Sequence, residues 1–275
     1  MAITRTPWID DDGSGTTGTV INNAEKTLLY DQIDAALGLT ASKYDTVPAT
    51  LATTGTVHNW TPGLVGHTLT RWNGATDLVV TGVAPGVAGQ RWTFRNIGAA
   101  VAYFGHNNGS STAANRLQNV ATSNATPVAP GGEITYEHDG SAWLLVAHEQ
   151  GAWITPPYAS SDFSPNTGVW TVEAGDISTY AYRLAGRTLI VSWYLQNTQC
   201  SGAPSNLRVK IPGGFTAGKA SLHPCVHDDG GNAGSFCLIG GPGATTIDTY
   251  KSYGTGSFTA SSTIRAFGTV SIEVN

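Results

Sequence analysis

A single amphipathic helix ahead of a long run of strand-like segments is the feature that most constrains the fold of this 275-residue chain. Asn22 or Asn23 can cap the helix, and Glu25 stands at the offset of a capping box. Gly38 can end it in a left-handed conformation, so the predicted helix spans about residues 23–37. Its apolar positions recur at helical spacing and form one stripe: Leu28, Leu29, Ile33, Ala36 and Leu37.

The stripe of this helix needs a partner, because a helix of roughly 15 residues is marginal alone in water. From about residue 46 to the end, the chain reads as short strands and turns, with no second helix to pack against. The helix can therefore dock on its own sheet, pack against copies of itself or anchor in another protein. The residues alone leave these three alternatives open.

The composition favours a soluble β protein. Charged residues make up 12% of the chain, about half the usual share, and its 34 glycines suit strands joined by tight turns. A formal net charge of −5 argues against nucleic-acid binding, which needs clustered cations. We find no signal-peptide core and no apolar run long enough for membrane insertion. The expectation is a protein made in the cytoplasm, used outside the cell and released by lysis.

The strand-like segments group into two units. In the segment GQRWTFRNIG, Trp92 and Phe94 alternate with Arg91 and Arg95, as in a half-buried strand, and turn dipeptides such as Asp139-Gly140 end several segments. We find no fixed-period repeat, which favours two compact units over a solenoid or triple β-helix. A break at Pro156-Pro157 places the boundary between them. The predicted division is an N-terminal segment at 1–45, a first β-sandwich at 46–152 and a C-terminal β-sandwich at 153–275.

Candidate metal and catalytic sites are weak. The acidic turn after Asp10 lacks the glutamate that a calcium loop needs at its twelfth position, which is Ile21. His223, Cys225 and His227 would share one face of a strand, but a strand entering an acidic turn explains them better. A disulfide between Cys225 and Cys237 is possible, but a chain made in a reducing cytosol favours free thiols. There is no nucleophile elbow, P-loop or dinucleotide fingerprint, so we predict no catalytic residue, no cofactor and no metal.

Candidate contact residues lie in turn-rich stretches of the C-terminal unit. Tyr250 and Tyr253 are aromatic residues beside polar groups, which can stack on sugars or anchor a protein contact. Covering a core or a subunit interface is the alternative for both. Asp228 and Asp229 open the acidic turn DDGGN. These four residues are the candidate contact residues of the C-terminal unit.

Several segments resemble those of tailed-bacteriophage fibre and spike proteins. The lead WIDDDGSGTTGTVINNA with its helix resembles the N-terminal segment of certain fibre-type virion proteins. GQRWTFRNIG, TAANRLQN and APGGEITYEHDGSAWLLV are similar to a β domain of fibres and spikes. WTVEAGD, TYAYRLAGRTLIVSWYLQNT and LRVKIPGGF are similar to C-terminal domains of such proteins. The resemblance implies a homotrimeric virion protein whose N-terminus attaches to the particle and whose C-terminus faces the host. On that basis we expect a set of four residues of the C-terminal unit to contact the host surface: Asp228, Asp229, Tyr250 and Tyr253.

The expected fold is thus mostly β, with a short N-terminal helix before two antiparallel, jelly-roll-like β-sandwich domains, assembled as a trimer. With this resemblance, the helix stripe from Leu28 to Leu37 is expected to serve oligomerisation or anchoring rather than docking on its own sheet. The expected function is a structural, non-enzymatic short tail fibre, spike or head fibre. Its partners would be two further copies of itself, other virion proteins and a host-surface glycan or protein. The alternatives are a soluble carbohydrate-binding protein, a head-decoration fibre without a receptor role and a depolymerising spike enzyme.

Overall fold

A computed structural model describes residues 50–63, 69–84, 86–121, 124–229, 232–251, 256–260 and 263–275. These residues are almost entirely β, with four short 3-10 turns and no α-helix among them. None of them forms a helix with the length and apolarity to cross a lipid bilayer. The helix predicted over 23–37, with its stripe from Leu28 to Leu37, lies outside the described residues.

The first six strands wind through two sheets in alternation. They are β1 (Thr50–Leu51), β2 (Gly55–Val57), β3 (Leu69–Trp72), β4 (Leu78–Val80), β5 (Arg91–Asn96) and β6 (Ala102–Phe104). Strands β1, β3 and β5 pair in parallel in one sheet, and β2, β4 and β6 pair in parallel in the other. Leu78 lies opposite Gly55, 23 positions earlier, and Ala102, 24 positions later. The chain therefore advances in successive coils, as in a β-solenoid.

Four further strands close this unit with mostly antiparallel pairing. They are β7 (Leu117–Gln118), β8 (Thr126–Val128), β9 (Glu133–His138) and β10 (Trp143–Glu149). Strand β8 pairs with β6, β9 pairs with β5 and with β10, and β7 lies parallel to β10. The result is a six-stranded sheet, β1-β3-β5-β9-β10-β7, beside a four-stranded sheet, β2-β4-β6-β8. Asp139 and Gly140 form the turn between β9 and β10, and Gly140 has a φ of +101°.

An aromatic core lies between the two sheets. Trp92 and Phe94 of β5 are fully buried while Arg91 and Arg95 are exposed, so the alternation predicted for this strand is confirmed. The ring of Trp92 stacks on Tyr136 at 6.1 Å, and its indole N–H donates to the buried Thr70 hydroxyl at 2.8 Å. Each such indole N–H that is paired costs little to bury, which lets several tryptophans fill one core.

The second unit is one nine-stranded antiparallel sheet. Its strands are β11 (Phe163–Pro165), β12 (Trp170–Thr171), β13 (Ile177–Ala185), β14 (Thr188–Cys200), β15 (Asn206–Lys210), β16 (Ser221–Asp229), β17 (Asn232–Ile239), β18 (Thr246–Tyr250) and β19 (Thr263–Glu273). The order is β11-β15-β18-β17-β16-β19-β14-β12, with β13 also on β14. The rings of Phe163 on β11 and Tyr180 on β13 are 5.3 Å apart, which shows that the sheet curls until its two edges approach each other. The core lies inside this curl.

The predicted pair of antiparallel jelly-roll-like sandwiches is therefore wrong. Strands β1 to β6 pair in parallel and wind as a solenoid, and the second unit is a single curled sheet. The physical reason is that alternation and turn residues report where a strand ends and which face is buried. They do not report which strand it pairs with or in which direction.

A buried amide joins the two units. Gln150 is 1% exposed and follows β10 directly. Its side-chain oxygen accepts from the Leu184 N–H at 2.6 Å, and its nitrogen donates to the Ala152 carbonyl at 2.9 Å. Ile154 then forms a bridge with Tyr182 of β13. These bonds fix the chain direction where it enters the second sheet; the domain boundary after residue 152 stays a prediction.

Candidate interaction face

The nine-stranded sheet has an inner face on its core and an outer face that points away from it. Strand alternation sorts the side chains. On β19, Ile264, Ala266 and Ile272 are buried on the inner face, while Phe267 between them is 39% exposed on the outer face. The outer face is defined here as the side of the sheet that carries Phe267.

Apolar side chains adjoin one another across the outer face. Phe267 lies opposite Tyr194 on one neighbouring strand and opposite Val226 on the other. Leu222 on β16 lies opposite Leu238 on β17. These side chains and Phe236 form what we name the apolar patch: Tyr194, Leu222, Val226, Phe236, Leu238 and Phe267.

The rings of the patch are held in fixed positions. Tyr194 and Phe267 meet edge to face, with centroids 5.5 Å apart. Phe236 stacks on Tyr250 at 4.9 Å, with an interplanar angle of 8°. Both geometries are among those that aromatic pairs prefer. The patch is therefore an ordered surface on central strands of the sheet.

The core supports the patch from below. Trp193 is buried on the inner face directly beneath Gly268 of β19. A Cβ atom at Gly268 would come within 2.6 Å of the Trp193 ring and 3.0 Å of Cys225 Cβ, so glycine lets the indole pack against the sheet. The patch thus rests on close-packed side chains and has little room to collapse inward.

Balanced ion pairs border the patch. The Arg265 guanidinium lies 3.8 Å from the Asp228 carboxylate, and the Arg208 guanidinium lies 3.3 Å from that of Asp248. These side chains are partly exposed, and exposed pairs add little to stability because water screens them. Their effect on the surface is to leave its border close to neutral.

Two of the four predicted contact residues lie on the outer face of the sheet. Asp228 and Tyr250 lie on the outer face, next to the apolar patch. Asp229 points inward, and its side chain is 0% exposed. Its Oδ2 accepts from the Lys251 ammonium at 2.8 Å and from the Thr259 N–H at 2.7 Å. Tyr253 lies outside the described residues, and host contact by any of the four stays a prediction.

A buried polar cluster lies under the same strands. His227 is 1% exposed, with Nδ1 2.9 Å from the Ser235 hydroxyl and Nε2 3.0 Å from that of Thr249. The thiols of Cys225 and Cys237 are buried and free. A hydrogen bond from Cys237 and the nearby His227 lower the pKa of Cys225, whereas that bond and burial raise the pKa of Cys237.

This cluster is enclosed in the core. Cys225 and His227 share the inner face, as the spacing predicted, while His223 bonds to the Ser221 hydroxyl at 3.1 Å. Across the described residues, no three His, Cys, Asp or Glu side chains are placed to hold one metal ion. The hydrogen bonds of this buried cluster support the sheet from its inner face.

The apolar patch was not among the surfaces predicted from the sequence. A signal was present in β17, where Phe236 and Leu238 face out while Cys237 and Ile239 face in. A strand that is apolar on both faces is typical of burial on both sides. The predicted β-sandwich gives each strand one buried face, so it did not indicate an apolar outer face.

Comparison with known proteins gives one coarse likeness. No protein-family model matches the sequence. No curated protein matches it. Among solved structures, the chain is similar to the Dettilon tailspike protein, at 12% sequence identity and a TM-score of 0.35, over 80% of this chain and 41% of that one. The chain therefore spans about two fifths of the tailspike chain, and the likeness extends no further than this coarse level.

Proposed function

We propose that the chain is a structural, non-enzymatic subunit of a phage fibre or spike. In this proposal it assembles as a homotrimer and attaches to the particle through residues 1–45. Its C-terminal unit contacts a glycan or protein of the host surface. A head-decoration fibre is the variant of this proposal without a receptor role.

The apolar patch on the outer face carries the proposal. Large apolar side chains grouped on an ordered surface are typical of a macromolecular interface, whereas singly scattered ones are not. Four members of the patch are between 37% and 58% exposed. The solvent-facing side of an antiparallel sheet usually carries polar side chains, so adjacent exposed apolar side chains are unusual there. The resemblance of several segments to fibre and spike proteins gives the class of assembly in which such a surface would serve.

The fold suits a load-bearing part. The coils of the first unit are tied to one another by backbone hydrogen bonds, and Gln150 fixes the entry into the second sheet. A rigid frame holds binding surfaces at set distances. A trimer would then present three copies of each surface, and effective concentration would turn weak single contacts into useful avidity.

Particle association tests the proposal directly. The protein should co-purify with phage particles through a density gradient and appear at the tail or head by immunogold electron microscopy. A chain without residues 1–45 should be made in the same amount but be missing from particles. Absence of the intact protein from gradient-purified particles would refute the proposal.

A soluble carbohydrate-binding protein is the second candidate. The Phe236–Tyr250 stack beside the Arg208–Asp248 pair favours it, because sugars are bound by aromatic faces next to polar groups. The intact protein would then bind host polysaccharide while remaining free in the lysate. Incubation with capsule or lipopolysaccharide separates both candidates from a depolymerase, since neither should release oligosaccharides.

A further inference from the structure

We infer that the outer face is the surface through which copies of this chain pack on one another, with the apolar patch at the centre of the interface. The occupant is a second copy of the chain. The number of copies, three, rests on the proposed function, whereas the identity of the face rests on the geometry of the sheet.

The size of the patch fits such an interface. Leu222 is 58% exposed, and Tyr194, Leu238 and Phe267 are 37% to 39% exposed. With Val226 and Phe236, they leave on the order of 400 Å² of apolar surface in solvent, within the range of the largest apolar patch on a soluble monomer, which is often a functional surface. A standard interface buries roughly 800 Å² on each partner, a little over half of it apolar. The patch alone supplies most of that apolar part.

The charges on the face also fit a second copy. Arg265 is paired with Asp228, and Arg208 with Asp248, within one chain. Covering these groups leaves each with its partner, so association does not strand a buried charge. A polyanionic glycan would instead need cations that are free to bind it. A second copy brings the same balanced border and the same apolar centre.

The shape of the face is suited to packing on another sheet. The patch lies on four adjacent strands, β14, β19, β16 and β17. In a threefold assembly the same face of each copy can meet those of the two others around the axis. Side chains of neighbouring sheets then interdigitate, as they do between pleated faces that pack at about 10 Å. Because Trp193 and Gly268 fill the space below, the side chains of the patch are available to the partner rather than to the core.

A paired substitution tests the inference while protecting the fold. Leu222 and Leu238 lie directly opposite each other, so Leu222→Lys with Leu238→Glu replaces an apolar cross-strand pair with an ion pair. The monomer should stay folded, but the interface would lose two leucines of the apolar patch, and association would have to remove the new ion pair from water. Leu144→Lys is the matched control, because Leu144 is a 41% exposed strand leucine in the first unit.

The measurement is the mass of the full-length chain by light scattering across a concentration series. The wild type and Leu144→Lys should approach three times the monomer mass of 28.6 kDa. The paired variant should need about a hundredfold higher concentration to associate, a change measurable even if the N-terminal segment also contributes. Hydroxyl-radical footprinting should show Leu222 and Leu238 protected as the wild type associates, with Leu144 unchanged.

A variant that associates within threefold of the wild-type concentration overturns the inference, as does a wild type that stays monomeric. If the paired variant loses its β circular dichroism, Phe267→Thr, which keeps a β-favouring residue, decides by the same criteria. Particle association separates this result from the proposed function. Self-association through the outer face without incorporation into particles would refute the virion role and leave the interface standing.

Discussion

The buried pair Asp229–Lys251 gives the sharpest test of whether Asp229 supports the sheet or contacts a host. Lys251→Met removes the ammonium 2.8 Å from a carboxylate that is 0% exposed. Losing one partner of a buried pair costs about 3–5 kcal/mol. Because the Lys251 side chain is 23% exposed and the Thr259 N–H still donates to Asp229, we expect a smaller cost, about 2–3 kcal/mol.

A double-mutant cycle isolates the interaction. Asp229→Asn keeps an acceptor for the Thr259 N–H and should cost about 1–2 kcal/mol. The two changes together should cost less than their sum by about 1–2 kcal/mol, since the second removes a partner already lost. Urea unfolding followed by circular dichroism and tryptophan fluorescence gives each free energy, provided that the slope with denaturant is unchanged.

The exposed pair Lys219–Glu273 is the matched control. Its nitrogen–oxygen distance is 2.6 Å, but the side chains are 67% and 37% exposed. Lys219→Met should leave the urea midpoint within error of the wild type, because solvent screens the pair. Additive costs in the cycle, or a Lys251→Met variant as stable as the wild type, would refute the reasoning.

Three further outcomes are expected. Trp92→Phe opens about 40 Å³ and removes the donor to the buried Thr70 hydroxyl, so it should cost about 2–3 kcal/mol in urea unfolding; less than 1 kcal/mol would contradict the packing. The Ser141 and Ala142 N–H groups and the Ser141 hydroxyl lower the pKa of Asp139 from 3.8 to about 2. The carboxylate therefore stabilises the fold fully above pH 4, and this stabilisation is lost as the pH falls to 2. Asp139→Asn should abolish this pH-dependent part of the stability, and an acid-unfolding profile like that of the wild type would refute the prediction. All three thiols are buried and free, so Ellman's reagent should react slowly with the native protein and find three thiols in denaturant; finding one would reveal a disulfide between two of them.

The inner and outer residues of single strands were predictable, but their partners were not. Trp92 and Phe94 are buried and Arg91 and Arg95 exposed, as alternation alone indicated. The parallel coils give no fixed-period repeat in the sequence, because successive coils differ in length. Thr50 lies opposite a residue 21 positions later, and Leu69 lies opposite one 24 positions later. Backbone pairing defines these coils, and it does not require repeated side chains.

The candidate site shows the same division. The placement of Asp228 and Tyr250 near the surface of the C-terminal unit followed from their turn-rich surroundings. Their neighbours did not, since Tyr250 meets Phe236 only through the register of β17 with β18. Asp229 and its sequence neighbour lie on opposite faces of β16, so one adjacent position separates a buried ion pair from an exposed one.

The sequence by itself determined that the described chain is β, where many strands end, and which side chains of a strand share a face, because these properties depend on backbone preference and a period of two residues. Tertiary structure alone decided the parallel winding of β1 to β6, the curl of the nine-stranded sheet and the meeting of Tyr194, Val226 and Phe267 on its outer face. Those features arise from pairing between distant segments. A surface built from four strands exists only once their order and register are fixed.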